Sequence, residues 1–106
     1  MSRFKIGVMV DSFRLPIPAG VRKAREVGAD GIQVYVVDGA MSAEALSAAD
    51  RRAFRALVAD NGLDISALCG DLGGHGFQIA AENAVKTRRS KAIVDLAVDL
   101  GTTVVT

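Results

Sequence analysis

Residues 62–77 read Gly-Leu-Asp-Ile-Ser-Ala-Leu-Cys-Gly-Asp-Leu-Gly-Gly-His-Gly-Phe, and this stretch decides the fold. Gly62 closes whatever precedes it, and Leu63 to Cys69 follows as a strand. A loop with four glycines in seven residues, Gly70 to Gly76, then leaves the strand. A tight turn enters the strand and a long polar loop exits it. That asymmetry belongs to a parallel βα unit.

The same unit recurs on both sides. Lys5 to Val10 (KIGVMV) is too short for a helix and suits a strand buried on both faces. Pro16 and Pro18 follow, and Pro18 fits the first turn of a helix running to about Val27, with Val21, Ala24 and Val27 as its apolar stripe. Gly28 ends that helix, and Gly31 to Val37 is the second strand. Ser47 with Asp50 forms a capping-box pattern ahead of a helix over Ala48 to Asp60 that buries Phe54, Leu57 and Val58. A third helix spans about Asn83 to Leu100, with Ile93, Leu96, Ala97 and Leu100 on one face. Gly101 stops it, and Thr102 to Thr106 reads as a fourth strand. The helix-ending glycines lie 34 and 39 residues apart, an internal repeat of successive βα units. The expectation is an α/β fold of four parallel strands with three intervening helices, a single partial domain over residues 1–106.

Composition narrows the class. Half the 106 residues are hydrophobic and 24% are charged, which is globular rather than disordered. A net charge of +1 gives no bulk attraction to nucleic acid or to an anionic membrane. The basic runs Arg22-Lys23-Arg25, Arg51-Arg52-Arg55 and Arg88-Arg89-Lys91 lie on helices and read as a solvated outer face. Cys69 is the only cysteine, so no internal disulfide forms. No leader precedes the first strand and no apolar run spans a bilayer, so the expectation is a cytoplasmic soluble protein.

In parallel α/β folds ligands bind at the carboxyl ends of the strands. Those ends carry Asp11 and Ser12, then Tyr35 and Asp38, then Cys69, Asp71 and His75, then Thr106. Three carboxylates and the only histidine all follow strands. Asp11 either bonds a ligand hydroxyl or caps the next segment. Tyr35 either packs its ring in the core or turns its hydroxyl to the pocket. His75 is a polar contact or proton shuttle, or else a loop residue serving local hydrogen bonds. Cys69 reads as a small core residue, with no basic neighbour to activate it. Asp38-Gly39 reads first as turn chemistry. The glycine loop matches neither a P-loop nor a dinucleotide fingerprint, and its role as a ligand wall rests on location. Asp71 and His75 alone are too few ligands for a metal.

The strands KIGVMVDSF, GADGIQVYVVDG and LDISALCGDLGGHGF, with the closing DLGTTVVT, resemble the N-terminal half of xylose isomerase-like TIM barrels, the sugar-phosphate isomerase/epimerase family. The resemblance implies half of a (β/α)8 barrel. It implies a parent enzyme that moves a proton next to a sugar carbonyl, with a divalent metal (Mn, Mg, Zn or Co) at the barrel mouth. The family's metal ligands lie on strands five to eight. To this chain the resemblance carries only pocket-lining roles, for Asp11, Tyr35, Cys69, Asp71 and His75, with no catalytic and no metal-binding residue. The implied partners are a small sugar or sugar phosphate, and either a C-terminal half or a second copy as homo-oligomer. The alternative is a non-catalytic half-barrel that self-associates. An open receiver-like sheet would need a fifth strand bearing a lysine, which the chain lacks.

Overall fold

The computed structural model describes residues 4–106. Strands β1 (Gly7–Met9), β2 (Gly31–Tyr35) and β3 (Asp64–Cys69) form one parallel sheet in chain order. Helices α1 (Ile17–Glu26), α2 (Ala48–Asp60) and α3 (Ala80–Leu100) each follow a strand. Ile32 and Val34 of β2, with Val36 just beyond it, alternate onto one face and are fully buried. They join one core with Val21 and Ala24 of α1, Phe54 and Val58 of α2, and Ile93, Leu96, Ala97 and Leu100 of α3. Each large aliphatic side chain so buried contributes about 1.5–3 kcal/mol.

Local chemistry sets the helix boundaries. Ser47 Oγ accepts from the Asp50 N–H and the Asp50 carboxylate accepts from the Ser47 N–H, both at 3.1 Å, so the capping box opens α2. Gly28, Gly62 and Gly101 have positive φ, the left-handed geometry that stops a helix and turns it into the next strand. α1 ends at Glu26, so Val27 is its half-in cap and stands exposed instead of completing the stripe. Leu57 is only partly buried. β1 stops at Met9 because Val10–Phe13 tightens into a 3-10 turn that ends on Arg14 at φ 56°.

The opposite sheet face is small and polar. Gly7, Gly31 and Ser66 crowd together there: a Cβ on Gly31 would lie 2.3 Å from Ser66 Oγ. Gln33 reaches across β3, and its Nε2 donates to Thr106 Oγ1 at 2.9 Å.

The expected fourth strand is corrected. Three strands form the sheet, and Thr102–Thr106 contributes a single parallel bridge, Leu68 to Val105. β3 carries a bulge beside the start of this stretch. Ile32 pairs with Ile65 but Gln33 pairs with Ala67, so Ser66 is skipped. The Thr102 hydroxyl donates to the Ser66 carbonyl at 3.1 Å where a backbone N–H would have done so. Main-chain pairing begins only at the Val104 carbonyl, which accepts from Leu68 N–H, and continues through Thr106 N–H to the Leu68 carbonyl. This register directs the main-chain groups of Thr103 and Val105 away from β3.

The basic runs are more than a solvated face. Arg51 is mostly buried and donates to Asp99 on α3 and to the Ala43 carbonyl. Arg55 donates to the Asp99 carbonyl, so two arginines of α2 clasp the end of α3. Among the described residues, no helix is long and apolar enough to cross a membrane.

Candidate functional site

At the carboxyl ends of the strands an open cavity of about 450 Å³ is lined by Asp11, Tyr35, Val37, Asp38, Met41 and Asp71, among others. Each lining group is placed by its backbone. The turn after β1 lifts Asp11 to the mouth, and its Oδ2 accepts the Tyr35 N–H at 3.0 Å. The β1–β2 register has ended at Met9–Gln33, so this carboxylate extends the pairing by one more donor. It does not cap the segment that follows it. Tyr35 lies on the open sheet face, 44% exposed, opposite in alternation to buried Val34 and Val36. Its side chain therefore faces the cavity and not the core.

The segment after β2 is held at several points. Val36 N–H donates to the Cys69 carbonyl, and Ala43 N–H returns to the Val36 carbonyl. Gly39, at φ 68°, opens the 3-10 turn Gly39–Met41. Arg89 of α3 donates Nη2 to the Val37 carbonyl and Nε to Glu44 Oε1. A backbone hydrogen bond at Glu44, and then the Arg89 guanidinium, hold the Glu44 carboxyl below the ordinary range. Within this frame the Asp38 carboxylate has no hydrogen-bond or ion-pair partner among the described residues.

The glycine loop makes a second wall. Asp71 Oδ1 accepts the Gly73 N–H at 2.8 Å, and Gly73, Gly74 and Gly76 all take positive φ, which a side chain would strain. Lys86 of α3 straps the loop by donating to the Gly76 carbonyl at 2.6 Å, while pairing with Glu82 at 3.3 Å. Asp71 also borders a neighbouring cleft of about 590 Å³ with Cys69, Phe77, Lys86 and Thr106. A third cleft, of about 580 Å³, opens between Lys5, Arg55, Asp64 and Thr103 at the amino ends of the strands, away from the loops that carry ligands in parallel folds.

The structure thus gathers Asp11, Tyr35 and Asp71 around one cavity and sets Cys69 in the adjoining cleft, buried. His75 borders none of these three clefts; it is exposed, and its carbonyl accepts the Gln78 N–H. Asp38, named at a strand end but read first as turn chemistry, lines the cavity, and so does Met41, which was not named. The signal for Asp38 was its place at a strand end, outweighed by the turn chemistry of Asp-Gly. Among the described residues no three His, Cys, Asp or Glu side chains converge as metal donors. The divalent ion implied by the resemblance therefore does not fit these residues alone.

A family model described as xylose isomerase-like TIM barrel matches residues 21–106. No curated protein matches the chain. Among solved structures, the apo crystal structure of the 3-keto-D-glucoside 4-epimerase YcjR from E. coli is similar at a TM-score of 0.70 and 20% identity. The match covers 97% of this chain and 37% of that one, so the chain spans little more than a third of its structural relative. At that identity the likeness speaks for the fold, a parallel α/β sheet built as in a TIM barrel.

Proposed function

The chain belongs to the xylose isomerase-like TIM-barrel family, and on that premise we propose that it forms one wall of the substrate pocket of a sugar or sugar-phosphate isomerase/epimerase. The observation that carries this reading is the cavity shared by Asp11, Tyr35, Asp38 and Asp71 at the strand ends. Carboxylates there accept hydrogen bonds from sugar hydroxyls, and the Tyr35 ring offers an apolar surface to the C–H face of a sugar. The reaction is proton transfer next to a carbonyl. This wall binds and orients, while the transferring carboxylate and any Mn, Mg, Zn or Co ion are assigned to residues outside these 106. The structurally similar YcjR is a 3-keto-D-glucoside 4-epimerase, which supports the class of reaction.

The test is solvent exchange. The complete reading frame containing this chain is incubated in D2O with a 3-keto-glucoside, D-fructose and D-fructose 6-phosphate, and the proton next to the carbonyl is followed by NMR. Deuterium entry with at least one sugar is the expected result. The 106-residue chain by itself is expected to give none and to retain no stoichiometric metal. Absence of exchange from the complete frame with every sugar would sink the reading.

A second reading is that two such units associate into a closed barrel. It is supported by exposed apolar groups: Phe4 and Ile6 ahead of β1, Val104 and Val105 in the stretch bonded to β3, and Val94 and Val98 on α3. Sedimentation of the chain separates the two, since a well-folded monomer at high concentration counts against association.

A further inference from the structure

We propose that Arg89 is a positioning residue for the pocket wall, and that the group it positions is the Asp38 carboxylate, which takes hydrogen bonds from hydroxyls of a carbohydrate substrate. The proposal rests on the pocket reading above and deepens it. Five groups lining the cavity, Tyr35, Val37, Asp38, Ala40 and Met41, belong to one short segment. The Val36 N–H bonds to the Cys69 carbonyl and the Ala43 N–H to the Val36 carbonyl, so the base of the segment is closed while Val37 to Met41 reaches out from it. Arg89 supplies the support from a helix. Its planar fork donates to the Val37 carbonyl immediately before Asp38 and to the Glu44 carboxylate after the turn. Both sides of the Gly39–Met41 turn are thereby tied to α3, and the turn itself closes through the Ser42 N–H to the Gly39 carbonyl.

The three carboxylates of this wall differ in what they have left to give. Asp11 spends Oδ2 on the Tyr35 N–H, and Asp71 spends Oδ1 on the Gly73 N–H. Those bonds shape the wall. Asp38 has no bond to any described residue, yet its backbone is fastened on both sides. A charged acceptor held in place and left unpaired at a cavity surface is preorganised for an external donor. Among the described residues the lining of this cavity has no lysine or arginine to meet a phosphate, and a sugar hydroxyl is a donor that the Asp38 carboxylate accepts.

Two measurements on the complete protein test this. The first needs no activity. Ala43 N–H, bonded to the Val36 carbonyl, reports whether the segment is held. Arg89→Met should speed its hydrogen exchange about tenfold or more while Ile93 and Leu96 of α3 keep their protection, and Arg89→Lys should fall between. Unchanged exchange at Ala43 overturns the positioning role whatever the enzyme does. The second measurement is kinetic, on the best-processed sugar of the panel above. Asp38→Ala should raise KM about 10- to 100-fold with kcat little changed. If Arg89 acts through Asp38, the double variant Asp38→Ala with Arg89→Met is no worse than Asp38→Ala alone. Additive losses would make Arg89 a plain structural brace, and an unmoved KM in Asp38→Ala would remove Asp38 from the contact. A wild type that exchanges no sugar proton strikes the underlying reading itself, and the substrate contact falls with it.

Discussion

The carboxylate of Asp11 accepts the backbone N–H of Tyr35 at 3.0 Å, so the end of the first strand fastens the end of the second. No carbonyl takes that donor, because β1 has ended at Met9 and Asp11 lies in the 3-10 turn that follows. Asp11→Ala should cost about 0.5–1.5 kcal/mol in urea unfolding. Asp11→Asn keeps an acceptor oxygen and should lose less. Equal losses in the two variants would show that the charge, and not the acceptor, matters at this position.

Gly7 and Gly31 leave room for one side chain between them, and Ser66 takes it. A methyl on Gly7 would meet Ser66 Oγ at 2.8 Å, and one on Gly31 would meet it at 2.3 Å. At Gly31 the Asp64 carbonyl oxygen also lies only 2.9 Å away. Both alanine variants should be destabilised by about 1–3 kcal/mol. Ser66→Ala should relieve Gly7→Ala almost fully but Gly31→Ala only in part, since backbone cannot withdraw. Thermal melts of the four variants decide this, and equal rescue is the outcome that contradicts it.

Gly28 and Gly101 end their helices in the same left-handed geometry, yet their surroundings differ. Nothing lies within 4 Å of a Cβ on Gly28, whereas one on Gly101 would sit 2.6 Å from Arg55 Nη2. Gly28→Ala should cost about 1 kcal/mol from backbone strain alone. Gly101→Ala should cost more, because Arg55 must also abandon its bond to the Asp99 carbonyl. Combining Gly101→Ala with Arg55→Ala should give less than the sum of the two single losses.

Glu44 and Asp50 both have carboxyl groups held below their ordinary values, the first by a backbone hydrogen bond and Arg89, the second by the backbone and hydroxyl of Ser47. A carboxylate lowered by folding stabilises the protein fully above its unfolded pKa, about 4. That share disappears as pH falls through the lower folded value. Wild-type Tm should therefore decline between about pH 5 and pH 3 more steeply than that of Glu44→Gln, with the two curves converging in acid. Because both groups are well solvated the difference is small. Parallel curves across that window would remove Glu44 from the account.

What could be read in advance was what is decided locally. The alternation of strands and helices, the α2 limits at Ala48 and Asp60, and its capping box follow from neighbours within a few residues. Missed features were settled by residues far apart in the chain. The Thr102 hydroxyl replaces a ladder bond at Ser66, where β3 bulges. Arg51 and Arg89 appear in runs typical of solvated helix faces, but each finds acceptors more than 45 positions away, at Asp99 and at Val37. Asp38 belongs with them. Its Asp-Gly context is a turn signal, and only the contacts around it leave its carboxylate free. Asp11, Tyr35 and Asp71, all named for their place at strand ends, border one cavity, whereas His75 sits six residues past β3 in the glycine loop, where location at a strand end no longer fixes where a side chain lies.

Sheet order equal to chain order has a consequence for synthesis. Residue 7 pairs with residue 31, and residue 31 with residue 64, so each strand emerging from a ribosome meets a partner that has already been made. Assembly proceeds as a front, one strand and one helix at a time, with each loop closure short and cheap in entropy. The cost is borne at the front itself. Whichever strand is newest presents one bare side, and that travelling edge is where a nascent chain most needs shielding from its neighbours.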